Sequence, residues 1–230
     1  LVAVPNISPQ AAVAMSDIPV LKQVVEIVTF HKYEQADDSG NYLAHVETPQ
    51  LEAQGDAKLQ SSVGEINGQM QTYANQMIAQ FEQEMEQQGG VYGLDIGYTV
   101  VTDTDQWFAL EVSTVETMAS GAETLKYYNL NKETGAYMQL ADLFPQDVDY
   151  VAAISAQIKE QMLQRMAEDE NQVYFINSDM PETDFKQIAA DQSFYINQQG
   201  QLVIAFDEYE VAPGSMGAPQ FIVDMTALQK

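Results

Sequence analysis

Eight apolar residues, Leu59, Val63, Ile66, Met70, Tyr73, Met77, Phe81 and Met85, recur at spacings of three and four over 27 residues. That period is helical, and it commits the stretch to one long amphipathic helix with a single apolar face. Glutamine, glutamate and asparagine fill most of the opposite face, and Gly89-Gly90 marks the expected end. Such a helix must lay its apolar side on something. Methionine at three of the eight positions suits a core stripe better than a partner groove, so a sheet is the expected cover.

The flanking segments supply that sheet. Leu21 to Phe30 has the β-branched content of a strand, and Asp37-Asp38-Ser39-Gly40-Asn41 is a tight-turn cluster. With Tyr42, Ala44 and Val46 alternating after it, the unit reads as a β-hairpin. Beyond the helix, Tyr92 to Val101, Trp107 to Met118 and Thr124 to Leu130 read as strands, the last ending at the turn Asn131-Lys132-Glu133-Thr134-Gly135. A second amphipathic helix carries Val151, Ile154, Ile158, Met162 and Met166 on one face. An acidic, mixed segment fills 167–192. Phe194 to Ile196 with Gln201 to Val211 make a final hairpin, and Phe221 to Met225 a closing strand. The order predicts an α+β fold of two units, each a mostly antiparallel sheet with one amphipathic helix packed on it. The expected divisions are an irregular lead-in over 1–20, an N-terminal module over 21–125 and a C-terminal module over 126–230.

Charge narrows the partners. Thirty-four acidic residues against nine basic ones give a formal charge of −25. Nucleic acid is excluded as a partner, because no cationic surface can displace counterions from phosphate, and anionic membrane surfaces are disfavoured by the same sign. A strongly cationic protein would instead be steered in, about 10 to 1000 times faster at low salt. Cysteine is absent, which removes disulfides, thiolate metal sites and a cysteine nucleophile. No stretch approaches the roughly 20 apolar residues that span a bilayer. The opening Leu-Val-Ala-Val-Pro has no basic flank and does not read as a signal peptide, so an anchor or signal is expected to precede it.

Catalytic and metal chemistry find no constellation. His31 and His45 are the two histidines, and neither belongs to a zinc-ligand pattern. Asp103-Thr104-Asp105 reads as a polar hairpin turn and is too short for a calcium cradle. Glu168-Asp169-Glu170 reads as the solvated end of a helix. With so many carboxylates, no one pair stands out for glycoside cleavage. No nucleophile elbow, phosphate loop or dinucleotide fingerprint occurs, so neither an enzyme nor a cofactor is expected.

The stretch QLVIAFDEYEVAPGSMGAP, Gln201 to Pro219, is of another kind. A buried strand turns acidic at Asp207, Glu208 and Glu210, then breaks into a loop stiffened by Pro213 and Pro219, a composition suited to presentation. Its wording, Tyr-Glu-x-Ala-Pro followed by a glycine and a second proline, resembles the C-terminal module of extracytoplasmic anti-sigma factors of the RsiV type. Ser8-Pro9 through Pro19 and Val25 to Tyr33 resemble the lead-in and first strand of the N-terminal module of that family, a module also related to one appended to PdaC-type peptidoglycan deacetylases. The stretch STVETMASGAETLKYY, Ser113 to Tyr128, resembles that module's last strands, with Ala119-Ser120-Gly121 where many relatives have Ala-His-Gly. Asn129 to Phe144 resembles the entry to the second module, and Phe194 to Pro213 its final hairpin.

The resemblance implies a ligand-sensing region outside the membrane, anchored through a segment this chain does not contain. It holds a sigma factor inactive only through a further absent segment. The best understood type binds lysozyme, a strongly cationic protein, and binding exposes the receptor to regulated proteolysis. Recognition is then expected on the loop Val211 to Pro219 and the turn Met118 to Glu123. Pro213 and Ser120 would make shape contacts, with Glu123, Glu208 and Tyr209 supplying charge and an aromatic anchor. Ser215 and Met216 stand where relatives often carry an aromatic residue. The other expectation is a non-catalytic accessory module of a cell-wall enzyme, binding peptidoglycan.

Overall fold

The computed structural model describes residues 24–38, 40–87, 90–118 and 120–228. The expected lead-in over 1–20 lies outside them. A six-stranded sheet is built from β1 (Val24–Ala36), β2 (Tyr42–Gln54), β3 (Tyr92–Asp103), β4 (Trp107–Thr117), β5 (Gly121–Asn131) and β6 (Ala136–Met138), in sequence order. Helix α1 (Ala57–Gln87) crosses one face of this sheet. A second helix, α2 (Tyr150–Glu168), packs on a three-stranded sheet of β7 (Phe194–Ile196), β8 (Leu202–Ala205) and β9 (Gln220–Val223). The fold is therefore α+β, with two sheet-and-helix units. Every pairing is antiparallel except β2 with β3, which run parallel through Tyr42–Val46 and Tyr92–Ile96 because α1 carries the chain back between them.

The stripe on α1 does what its period dictates. Leu59, Val63, Ile66, Met70, Met77 and Phe81 are buried against Val46, Leu94, Leu110 and Leu130 of the sheet. The expected boundary at 125 and 126 falls inside β5, all eleven residues of which pair with β4. The first sheet therefore continues to Met138. A turn signal shows where a strand ends, not which sheet it joins. In the second unit, Tyr174, Ile176, Phe185 and Ile188 of the acidic segment are buried in the core beside Ile154, Ile158 and Met162. Among the described residues no helix is long and apolar enough to cross a membrane.

Open strand edges are closed by side chains. β3 pairs with β2 only as far as Val46, and beyond it Asn67 of α1 stands in for a strand. Its Oδ1 accepts from the Leu51 N–H and its Nδ2 donates to the Leu51 carbonyl, both at 2.9 Å. On β9, helix α2 supplies a ladder. Gln157 accepts from the Asp224 N–H at 2.8 Å and donates to its carbonyl, while Gln161 donates to the Ile222 carbonyl and Arg165 to the Gln220 carbonyl. Four helical residues rise about 6 Å and two strand residues about 6.6 Å, so successive turns meet alternate carbonyls. Replacing Asn67 with alanine leaves both Leu51 groups unpaired and is expected to cost about 2 kcal/mol. Urea unfolding measures it, and a midpoint equal to wild type would mean water serves the Leu51 edge as well as the amide does.

The units meet through polar side chains aimed at the free edge of β7. Asn129 Nδ2 donates to the Phe194 carbonyl at 2.8 Å and Thr102 Oγ1 to the Ile196 carbonyl at 2.7 Å; in the opposite direction, Ser193 Oγ, just before β7, donates to the Leu125 carbonyl of β5 at 2.8 Å. Tyr127 and Tyr195 stack at 4.9 Å, and Gln220 bonds to both hydroxyls. Burial and the Glu111 carboxylate, which accepts from Tyr127 at 2.6 Å, push the Tyr127 hydroxyl far above its ordinary pKa. This junction decides where the loop after β8 falls.

Candidate functional site

The chain leaves β8 at Phe206, a fully enclosed ring, and returns at Pro219, whose carbonyl accepts from the Phe206 N–H at 3.0 Å. Thirteen residues are thereby closed into a loop rooted in the second core (207–219 by number). Its middle is not free: Val211 and Ala212 are buried, and the Phe175 N–H donates to the Val211 carbonyl at 2.8 Å. Beyond Pro213, a single 3-10 turn spans Gly214–Met216 and ends at Gly217, whose φ of 62° lies in the left-handed region glycine favours. Ser215 is exposed, whereas Met216 is partly buried against the second core.

The acidic residues at the start of the loop turn toward the first unit. Glu208 and Glu123 are bonded reciprocally: the Glu208 N–H donates to the Glu123 carbonyl at 2.9 Å, and the Glu123 N–H to Glu208 Oε2 at 3.0 Å. Asp207 Oδ1 accepts from the Leu125 N–H at 2.8 Å. β6 pairs with β5 only at Asn129–Asn131, so these contacts occupy the edge of β5 that β6 leaves bare. The Glu123 side chain is itself engaged, accepting from Ser113 Oγ at 2.6 Å. At the base, Glu210 Oε2 accepts from the Asp207 N–H at 2.9 Å, and Gln192 donates toward both Glu210 oxygens. Desolvation lifts the Glu210 carboxyl above its usual range, against the pull of those hydrogen bonds.

The two regions expected to carry recognition thus lie side by side. Glu123 and Glu208 touch although 85 residues separate them. Ser120 sits three residues before Glu123, about 10 Å along the strand, in an exposed turn where the Met118 N–H donates to the Ser120 carbonyl. Tyr209 follows Glu208 directly, is 46% exposed and has a φ of 68°. Pro213, Ser215 and Met216 form the far limb. Two residues outside the expected set shape the site: Asp207, whose carboxylate holds the Leu125 N–H, and Gly214, which lies against the Tyr209 ring. The histidines lie apart. His45 is 3.2 Å from Asp95 and 3.6 Å from Glu47, and Glu47 also pairs with Lys32. Among the described residues, no three His, Asp or Glu side chains converge as metal ligands.

Comparison with known proteins adds three findings. Residues 141–226 match a family described as a protein of unknown function (DUF3298). The anti-sigma-V factor RsiV of Bacillus subtilis (strain 168) is 36% identical over 222 residues, which is 96% of this chain and 75% of that protein. Two solved structures of DUF3298 proteins share the fold. One, from Pseudomonas aeruginosa PAO1, has a TM-score of 0.58 at 15% identity, covering 92% of this chain and 94% of its own. The other, from Bacteroides fragilis NCTC 9343, has a TM-score of 0.56 at 13% identity, covering 89% and 91%.

Proposed function

The chain belongs to the family of the anti-sigma factor RsiV, and from that premise we propose that it is the extracytoplasmic ligand-sensing region of such a factor, with lysozyme as its ligand. The observation that carries this reading is the reciprocal Glu123–Glu208 bond, which sets the 118–123 turn of one unit beside the 207–217 loop of the other. A cationic protein is the fitting partner for a chain of formal net charge −25. Tyr209, Pro213, Ser215 and Ser120 offer shape and an aromatic face, while the acidic background speeds encounter. Inhibition of a sigma factor would run through a segment outside this chain, and so would membrane anchoring.

Calorimetric titration with a C-type lysozyme at low and physiological salt tests the reading. Saturable one-to-one binding that persists at physiological salt supports it. Binding that disappears with salt reduces it to charge attraction, and none at either salt removes lysozyme as ligand. The double variant Tyr209→Ala with Pro213→Ala is expected to weaken binding by roughly 30-fold or more, about 2 kcal/mol. Its melting temperature should move by no more than about 3 °C, since neither side chain fills a core. Unchanged affinity would place recognition on another surface.

A further inference from the structure

Gly214 has an ordinary negative-side backbone, so its lack of a side chain answers to a neighbour rather than to its own φ. A Cβ built there would lie 2.4 Å from Tyr209 Cζ and 2.5 Å from its hydroxyl oxygen. The Tyr209 ring therefore lies directly on the Gly214 backbone. Its own φ of 68° is one that a tyrosine adopts at a cost of about 1 kcal/mol or more, and exposure of nearly half the residue leaves little burial to offset it.

The surroundings impose that conformation. The Glu210 N–H donates to the Asp207 carbonyl at 3.1 Å while the Asp207 N–H donates to Glu210 Oε2, closing a tight turn with Tyr209 near its apex. Asp207 and Glu208 pin the turn to Leu125 and Glu123 of β5. Each of the three carboxylates accepts a backbone N–H, so each is tied by geometry into the turn or onto β5.

We infer that Asp207, Glu208 and Gly214 are positioning residues that hold Tyr209 preformed as the anchor of the site, and that Glu208 works by geometry rather than by charge. The inference rests on reading this loop as the recognition surface. Preforming an aromatic anchor lowers the ordering cost of binding, which gives a strained exposed tyrosine a purpose.

The test separates the two claims by pairing a ligand-free measurement with a titration. In the free chain, ring-labelled tyrosine should show a nuclear Overhauser contact between Tyr209 and the Gly214 α-protons, and the Glu123 amide should exchange slowly. Glu208→Gln, which keeps an oxygen acceptor, should retain that protection, and Glu208→Ala should lose it. In lysozyme titrations Glu208→Gln should bind within about twofold of wild type. Glu208→Ala and Gly214→Ala should each weaken binding roughly tenfold. Gly214→Ala should fold normally, because the clash is with a ring that can swing into solvent. If Glu208→Gln falls as far as Glu208→Ala while Glu123 stays protected, charge is the operative property and the inference is overturned. If wild type does not bind lysozyme, the proposed ligand fails, and the free-chain measurements still decide: contact and protection uphold the positioning, their absence overturns it.

Discussion

Phe206→Ala is expected to destabilise the protein by about 4 kcal/mol and to lower its melting temperature by about 12 °C. Phe206 is 1% exposed and meets two rings edge-on, Phe185 at 5.5 Å and Phe221 at 5.8 Å, both at 85°. Phe221 is covered in turn by the Arg165 guanidinium, 4.4 Å from its centroid. Removing the ring forfeits its transfer energy and leaves a cavity between partners fixed on β9 and the acidic segment, which cannot collapse together. The loss also reaches the loop, because the Phe206 N–H closes its base onto Pro219. Differential scanning calorimetry checks the figure. A shift below about 2 °C would mean that the second core repacks freely around the gap.

How much of this was readable in sequence depended on whether a signal is local. The 3.6-residue period found α1 and α2 to within two residues, because burial of one face is written at every turn. Strand positions followed from β-branched runs and turn clusters, except that the run expected as strand to Val211 is strand only over Leu202–Ala205, because Asp207 and Glu208 turn aside to bond the edge of β5. Pairing direction did not: alternation in β2 and β3 is the same whether they run parallel or antiparallel. Nor did edge closure. Asn67, Gln157, Gln161 and Arg165 look like solvent-facing helix residues until a strand edge is placed beside them.

The site shows the same division. Proline and glycine around 213–219 announced a stiff loop, and the aromatic-acidic run before it announced a surface feature. The use of Asp207 and Glu208 as acceptors for Leu125 and Glu123 needs β5, 82 and 85 residues away, and no local pattern encodes that. Gly214 and Tyr209 are five positions apart, yet their contact depends on a left-handed tyrosine that no propensity would choose. Acidic residues counted as charge from composition can be spent on backbone donors in the fold, which is why net charge speaks to encounter and not to contact.

Gly135→Ala is the second large effect, expected to cost about 3 kcal/mol, and its contrast with Gly214 is instructive. Gly135 lies in the β5–β6 turn at φ 66°, where a Cβ would sit 2.8 Å from the Leu59 nitrogen and 3.0 Å from Asp56 Oδ1. Those atoms form the N-terminal cap of α1, the Leu59 N–H donating to Asp56 Oδ1 at 2.8 Å. Ser62 Oγ donates to the Gly135 carbonyl at 2.8 Å and accepts from the Tyr137 N–H, so the turn is seated on the first turns of the helix. A ring can swing away from a new methyl group, but a capped helix backbone cannot. Gly135→Asn separates the two sources of strain, since asparagine tolerates a left-handed φ and still carries a Cβ. Equal destabilisation by alanine and asparagine in urea unfolding is the expected result, because the approach of the helix is the constraint. Recovery with asparagine would make φ the constraint instead, and the seating of β5–β6 on α1 would then be looser than the distances imply.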